Sequence, residues 1–103
     1  MLSEGDRRKI VEWAKCHPVI ERVYLYGSRA RGEERPDSDI DLAIEMPFLE
    51  WFEWYDAYKE NPDLDLSHLV HLEWYEPNEG LEKVGSGVER DGILLYARSS
   101  ELP

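Results

Sequence analysis

Apolar and polar residues alternate in two rhythms along this chain. Over Ser3 to Lys15, Ile10, Val11, Trp13 and Ala14 recur at helical spacing, and Ser3 stands where an N-cap belongs. His17-Pro18 stops that helix. Val23 to Tyr26 is a run of strand-forming residues. Ser38 to Glu45 alternates as a strand does, with Ile40, Leu42 and Ile44 on one face and Asp39, Asp41 and Ala43 on the other. Between the two strands, Gly27 to Asp37 reads as a loop with a helical turn over Ser28 to Arg31. Pro47 to Glu60 predicts a second helix in which Phe48, Trp51, Phe52 and Tyr55 are the candidate packing residues. That arrangement leaves Trp54 and Tyr58 exposed, either as a protein interface or as large rings over a small core.

Asn61-Pro62-Asp63 breaks the second helix. A third strand lies within Leu66 to Tyr75, with Leu66, Val70, Leu72 and Trp74 on one face and Ser67, His71, Glu73 and Tyr75 on the other. Pro77 to Arg90 predicts a third helix, weakened by Gly80, Gly85 and Gly87, and Ile93 to Tyr96 a short last strand. Helices alternating with strands place the chain in the α/β or α+β class.

A length of 103 residues predicts one domain with one modest core. No stretch approaches the roughly 20 apolar residues that would span a bilayer, so no membrane is expected. The start, MLSEGDRRKI, lacks the apolar core of a signal peptide, and a cytoplasmic location is the default expectation. The single cysteine, Cys16, has no internal disulfide partner, and no Cys/His cluster suggests zinc. The formal net charge of −11 disfavours a long nucleic acid as partner, because phosphate backbones are bound by basic surface. It leaves room for one nucleotide carried with a divalent cation.

The stretch VYLYGSRARGEERPDSDIDLAI carries the chemistry. Side chains two apart on a strand project together, about 6–7 Å from each other, so Asp39 and Asp41 share the face opposite the apolar one. Two carboxylates so placed repel unless a cation sits between them. Mg²⁺ suits them, since it takes one or two carboxylates and completes its shell with water and phosphate oxygens. Two such ions about 3.5–4 Å apart serve both the attacking and the leaving oxygen of an in-line displacement at phosphorus. Gly27 lets backbone approach a ligand, its turn offers N–H groups to an anion, and Ser28 adds a hydroxyl. Arg29 and Arg31 can neutralise further phosphate charge.

Gly27-Ser28-Arg29-Ala30-Arg31-Gly32, followed by Ser38-Asp39-Ile40-Asp41-Leu42, resembles the nucleotidyltransferase superfamily of the DNA polymerase β type, in its minimal nucleotidyltransferase (MNT) branch. The tail Glu89-Arg90-Asp91-Gly92-Ile93-Leu94-Leu95-Tyr96 is similar to the end of such domains, so the resemblance covers nearly the whole chain. It implies a small mixed sheet with helices packed on one face and the active site on the other. It also implies transfer of AMP from ATP to an acceptor hydroxyl, with Mg²⁺ on the two aspartates and the triphosphate on Gly27 and Ser28. A third carboxylate from a neighbouring strand is implied as a metal ligand and catalytic group. Glu73, in Leu72-Glu73-Trp74-Tyr75, fits it; Asp65 is the rival, and a chain without a third acid is the remaining option. His71, on the same strand face, would be a poor substitute for hard Mg²⁺.

Members of that branch pair with HEPN-type proteins as antitoxins, some by adenylylating them. The resemblance thus implies a HEPN-type partner and a homo- or hetero-oligomer. A catalytically weak antitoxin that acts by binding, and a small-molecule (antibiotic) nucleotidyltransferase, are the alternatives.

Overall fold

A computed structural model describes residues 2–33, 35–76 and 82–98, with backbone alone over 82–86. Ser3 caps the first helix, α1 (Glu4–Lys15), by accepting a 3.1 Å hydrogen bond from the Asp6 amide at its Oγ. The helix buries Ile10, Trp13 and Ala14, the apolar stripe legible in the sequence. The next elements are β1 (Arg22–Tyr26), α2 (Ser28–Arg31), β2 (Ile40–Glu45) and α3 (Phe48–Glu60). They are followed by β3 (Val70–Tyr75), α4 (Glu82–Asp91) and β4 (Ile93–Ala97). The start of the predicted third helix, residues 77–81, lies outside the described residues, as does Glu34.

The four strands form one sheet in the order β3-β2-β1-β4. β1 runs antiparallel to both β2 and β4, while β2 and β3 are parallel. A parallel pair needs a long crossover, and α3 with residues 61–69 provides it. One sheet face presents Val23, Leu25, Ile40, Leu42, Ile44, Leu72, Trp74 and Leu95 to the core, where Ile10, Trp13 and Trp51 of α1 and α3 meet them. On the other face, Ala43 and Tyr75 pack with Val88 of α4, flanked by Tyr24 and Tyr26. The sheet is therefore mixed, with α1 and α3 on the core face. Among the described residues, α4 takes part of the opposite face, where Val88 packs with Ala43 and Tyr75 and Tyr26 lies alongside.

The packing of α3 corrects one expectation. Phe52 is 58% exposed and Phe48 43% exposed, whereas Trp54, Tyr55 and Tyr58 pack against the core. The buried stripe is Trp51, Trp54, Tyr55 and Tyr58, at i, i+3, i+4 and i+7. The end of α1 imposes this roll. Trp54 donates from Nε1 to His17 Nδ1 at 3.1 Å, and the Trp13 ring meets both Trp54 and Tyr58 edge-on. Asp63 completes the knot by accepting from Trp13 Nε1 at 2.7 Å and from His17 Nε2 at 2.8 Å. His17 is thus a packed, hydrogen-bonded ring as well as the end of a helix.

Asp6 ties the first turn of α1 to the approach to β3. Its buried carboxylate accepts the Ser67 amide at 3.2 Å and the Ser67 hydroxyl. Burial works against its charge, but these bonds and a further one from Ser3 prevail and hold the carboxyl below its usual range. Asp6→Ala removes the charged acceptor of the Ser67 amide and hydroxyl, and water can take its place at the exposed Ser67, so a loss of about 1.5 kcal/mol is expected in urea denaturation at neutral pH. A carboxyl whose folded-state pKa is lowered contributes stability above its unfolded value, near 3.8, and loses it as pH falls through the folded value. The gap between native and variant chains should therefore narrow as the denaturation series is carried below about pH 4.

Candidate active site

β1 leads into Gly27, the N-cap of α2, whose φ of 77° and ψ of −156° belong to a region essentially reserved for glycine. A Cβ at this position would lie 2.5 Å from Asp41 Oδ2 and 3.3 Å from the Asp41 carboxyl carbon. The bare Cα of Gly27 is thus what admits the Asp41 carboxylate to the bend. The Gly27 carbonyl accepts the amides of Ala30 at 3.1 Å and Arg31 at 3.2 Å, which opens the single turn of α2. Gly32, at φ 74° and ψ 21°, closes that turn in the left-handed conformation.

Arg29 is buried and points Nε and Nη2 at the Ser38 carbonyl, at 3.2 and 2.7 Å. Ser38 also accepts the Arg35 amide on its Oγ at 2.7 Å, and the Ile40 amide reaches the Leu69 carbonyl at 2.8 Å. His68 Nε2 donates to the Pro36 carbonyl at 2.7 Å. These bonds hold the loop that delivers Asp39 and Asp41. Arg31 pairs with Glu33 at 3.0 Å and approaches Asp91 of α4 at 3.7 Å.

Strand register then orders the site face in rows. Tyr26, Asp41 and His71 stand side by side across β1, β2 and β3. Tyr24, Ala43 and Glu73 form the next row, and Arg22, Glu45 and Tyr75 the row after that. Asp39 lies just before β2, and its Oδ2 accepts from His71 Nε2 at 2.8 Å. In the third row, Arg22 forms an ion pair with the buried Glu45.

Burial pushes the Asp41 carboxyl up; Asp39 adds to this, and His71, Arg29 and Arg31 pull the other way. Burial, followed by the charges of Asp41 and Glu73, pushes the Tyr26 hydroxyl up to about 12. Both shifts have a common meaning. The face is a partly desolvated, negative surface, and a cation on it would relieve both groups.

Of the two candidates for a third acid, Glu73 shares the site face but stands beside Ala43, one row away from Asp41. Asp65 lies in the connection before β3 and lines a surface groove along α1 with Arg8, Lys9 and Trp13. Among the described residues, no three His, Cys, Asp or Glu side chains gather as a metal-holding group. The expected set of Asp39, Asp41 and Glu73 is therefore not assembled as three adjoining ligands. The physical reason is the register of β2 on β3, which gives the place beside Asp41 to His71. Two hard oxygen donors beside a cradle that a Cβ would fill still suit Mg²⁺ when phosphate and water supply the remaining ligands. The neighbourhood of His71 and Tyr26 with Asp41 follows from strand register, which the sequence pattern does not specify. Alternation gives the face of each strand but not its alignment with the next.

Residues 8–101 match the family model described as Polymerase beta, Nucleotidyltransferase. No curated protein matches. A toxin–antitoxin crystal structure with AMP-PNP aligns at a TM-score of 0.58 with 21% identity, covering 92% of this chain and 76% of that one. A toxin–antitoxin MntA–HpeT mutant with two aspartate-to-glutamate changes aligns at 0.60 with 18% identity, over 92% and 76% of the two chains. A Sulfolobus solfataricus protein assigned as a nucleotidyltransferase aligns at 0.57 with 24% identity, over 89% and 77%. At these identities the likeness is one of fold.

Proposed function

Because the chain belongs to the polymerase β nucleotidyltransferase family, we propose that it transfers AMP from ATP to a hydroxyl of an acceptor protein, a HEPN-type toxin, and so serves as an antitoxin. The observation that carries this reading is the approach of Gly27 to Asp41, where a Cβ would stand 2.5 Å from the carboxylate oxygen. That approach joins the phosphate-binding bend to the acidic strand at one place. Asp39 and Asp41 would hold Mg²⁺, which neutralises phosphate charge and polarises the reacting phosphorus when bound. The Gly27–Ser28 bend would receive the triphosphate. Arg29 acts behind the site by fixing the Ser38 carbonyl, and Arg31 stands at the rim between α2 and α4. Glu73 adds negative charge one row behind Asp41 and is the carboxylate nearest in role to a proton acceptor for the incoming hydroxyl.

In the reaction, the acceptor hydroxyl gives its proton to the Glu73 carboxylate directly or through water, its oxygen bonds to the α-phosphorus, the bond from that phosphorus to the bridging oxygen breaks, and pyrophosphate leaves with the charge. Positioning and charge neutralisation carry most of the rate in chemistry of this kind. The test is incubation of the purified chain with Mg²⁺, ATP labelled at the α-phosphate and the toxin encoded beside it. Label on the toxin, with pyrophosphate released in equal amount, is the expected result. A complex that forms without labelling would overturn the catalytic reading.

One observation favours a second reading, an antitoxin that acts by binding alone. The place beside Asp41 holds an imidazole in place of a third carboxylate. Protection of cells by the Asp39→Asn/Asp41→Asn chain would establish it.

A further inference from the structure

His71 sits where the site face meets the edge of the sheet. It is the Cα partner of Asp41 in the parallel pairing, and its Nε2 donates to Asp39 Oδ2 at 2.8 Å. One ring therefore adjoins both aspartates. Its side chain is 51% exposed and that of Asp39 43%, so the contact is open to incoming ligands. The hydrogen bond takes one lone pair of Asp39 Oδ2 and fixes the carboxylate's orientation, so a metal ion must compete for that oxygen or use the other one. An imidazole also brings no negative charge to the row.

We propose that His71 is a positioning residue that makes the divalent cation arrive with the nucleotide instead of residing in the protein. This rests on the reading of Asp39 and Asp41 as the metal-binding pair. With His71 on Asp39, the protein offers a cation two carboxylates, one of them already engaged. Mg²⁺ and Mn²⁺ are then held only when triphosphate oxygens supply the missing ligands and charge. The arrangement agrees with the lack of any three-residue metal-holding group among the described residues. It also gives the ring a defined task before nucleotide arrives, since it orients Asp39.

The test is calorimetric titration of Mn²⁺ into the full chain, with and without a non-hydrolysable ATP analogue. It compares the native protein with His71→Glu and His71→Gln. Glu places a carboxylate about as far from the backbone as Nε2; Gln has the same reach and keeps an N–H donor without charge. The native chain is expected to bind Mn²⁺ only with the analogue present. His71→Glu should bind Mn²⁺ alone at least about tenfold more tightly than the native chain, because a negative charge joins the pair. His71→Gln should keep the native dependence on nucleotide. His71 is exposed on an edge strand, and circular dichroism of each variant confirms folding.

Saturable binding of Mn²⁺ to the native chain without nucleotide overturns the inference. So does a His71→Glu chain that gains no affinity, or a His71→Gln chain that gains as much as His71→Glu. In those cases, binding of the analogue with Mn²⁺ to the native chain keeps the metal-pair reading intact. A native chain that binds neither Mn²⁺ nor the analogue with Mn²⁺ overturns that reading, and this inference with it.

Discussion

Replacing Asp39 and Asp41 together by asparagine is expected to slow nucleotide transfer by about a thousandfold or more while the chain stays folded. On the proposed reading, a metal held by the pair would contribute several kcal/mol of charge stabilisation in the transition state, and each ~1.4 kcal/mol is a factor of ten in rate. The fold has little to lose. Both side chains lie on the face away from the main core, and burial already pushes the Asp41 carboxyl up, so its charge is a burden to the protein without ligand. Asparagine removes the mutual repulsion of the pair at nearly constant volume. The double variant should therefore denature at an equal or higher urea concentration than the native chain. Activity is measured as label transferred from ATP to the acceptor, and stability in parallel. Transfer within a few-fold of native would remove the two aspartates from the chemistry. A collapse in stability would mean that they serve the fold.

Gly27→Ala is expected to have the second largest effect. The added methyl would stand 2.5 Å from Asp41 Oδ2, and the backbone conformation at φ 77°, ψ −156° is one that alanine scarcely adopts. Such strain costs about 1–3 kcal/mol where it persists. The clash forces either the bend or the Asp41 carboxylate to move. Nucleotide binding should fall to background in calorimetry, with a lower midpoint in denaturation. Gly32→Ala is the matched control. It also has positive φ, at 74°, but a Cβ there meets nothing within 4 Å. Its cost is about 1 kcal/mol, the left-handed penalty for a residue with a side chain, and nucleotide binding should survive. Equal loss of binding in both variants would assign the effect to strain in α2 and not to the approach of Gly27 and Asp41.

Several parts of the site were legible residue by residue because they depend on local geometry. Ile40, Leu42 and Ile44 face the core while Asp41 does not, as strict alternation requires. Ser3 caps α1, and the turn over Ser28–Arg31 appears where the glycines and serine suggested. Arg29 was less legible. Sequence marks it as a cation near phosphate, yet its guanidinium grips the Ser38 carbonyl, because α2 folds back against the loop entering β2. The aromatic face of α3 differs from the expected one for a similar reason. Two stripes were available to a helix so rich in rings, and contact with Trp13 and His17 selected the one containing Trp54 and Tyr58.

By itself the sequence determined which residues could share a strand face, where the chain must bend, and that two carboxylates would stand together with a glycine–serine turn nearby. These follow from the two-residue period of a strand and from the backbone freedom of glycine, which neighbours in space do not alter. Only the tertiary structure decided that Asp41 fits against the bare Cα of Gly27, that His71 and not Glu73 stands next to it, and that α4 closes part of the same face. Those outcomes depend on how far β3 slides along β2 and on where each helix docks. A slide by two residues keeps every side chain on its face, so no pattern within one strand can report it.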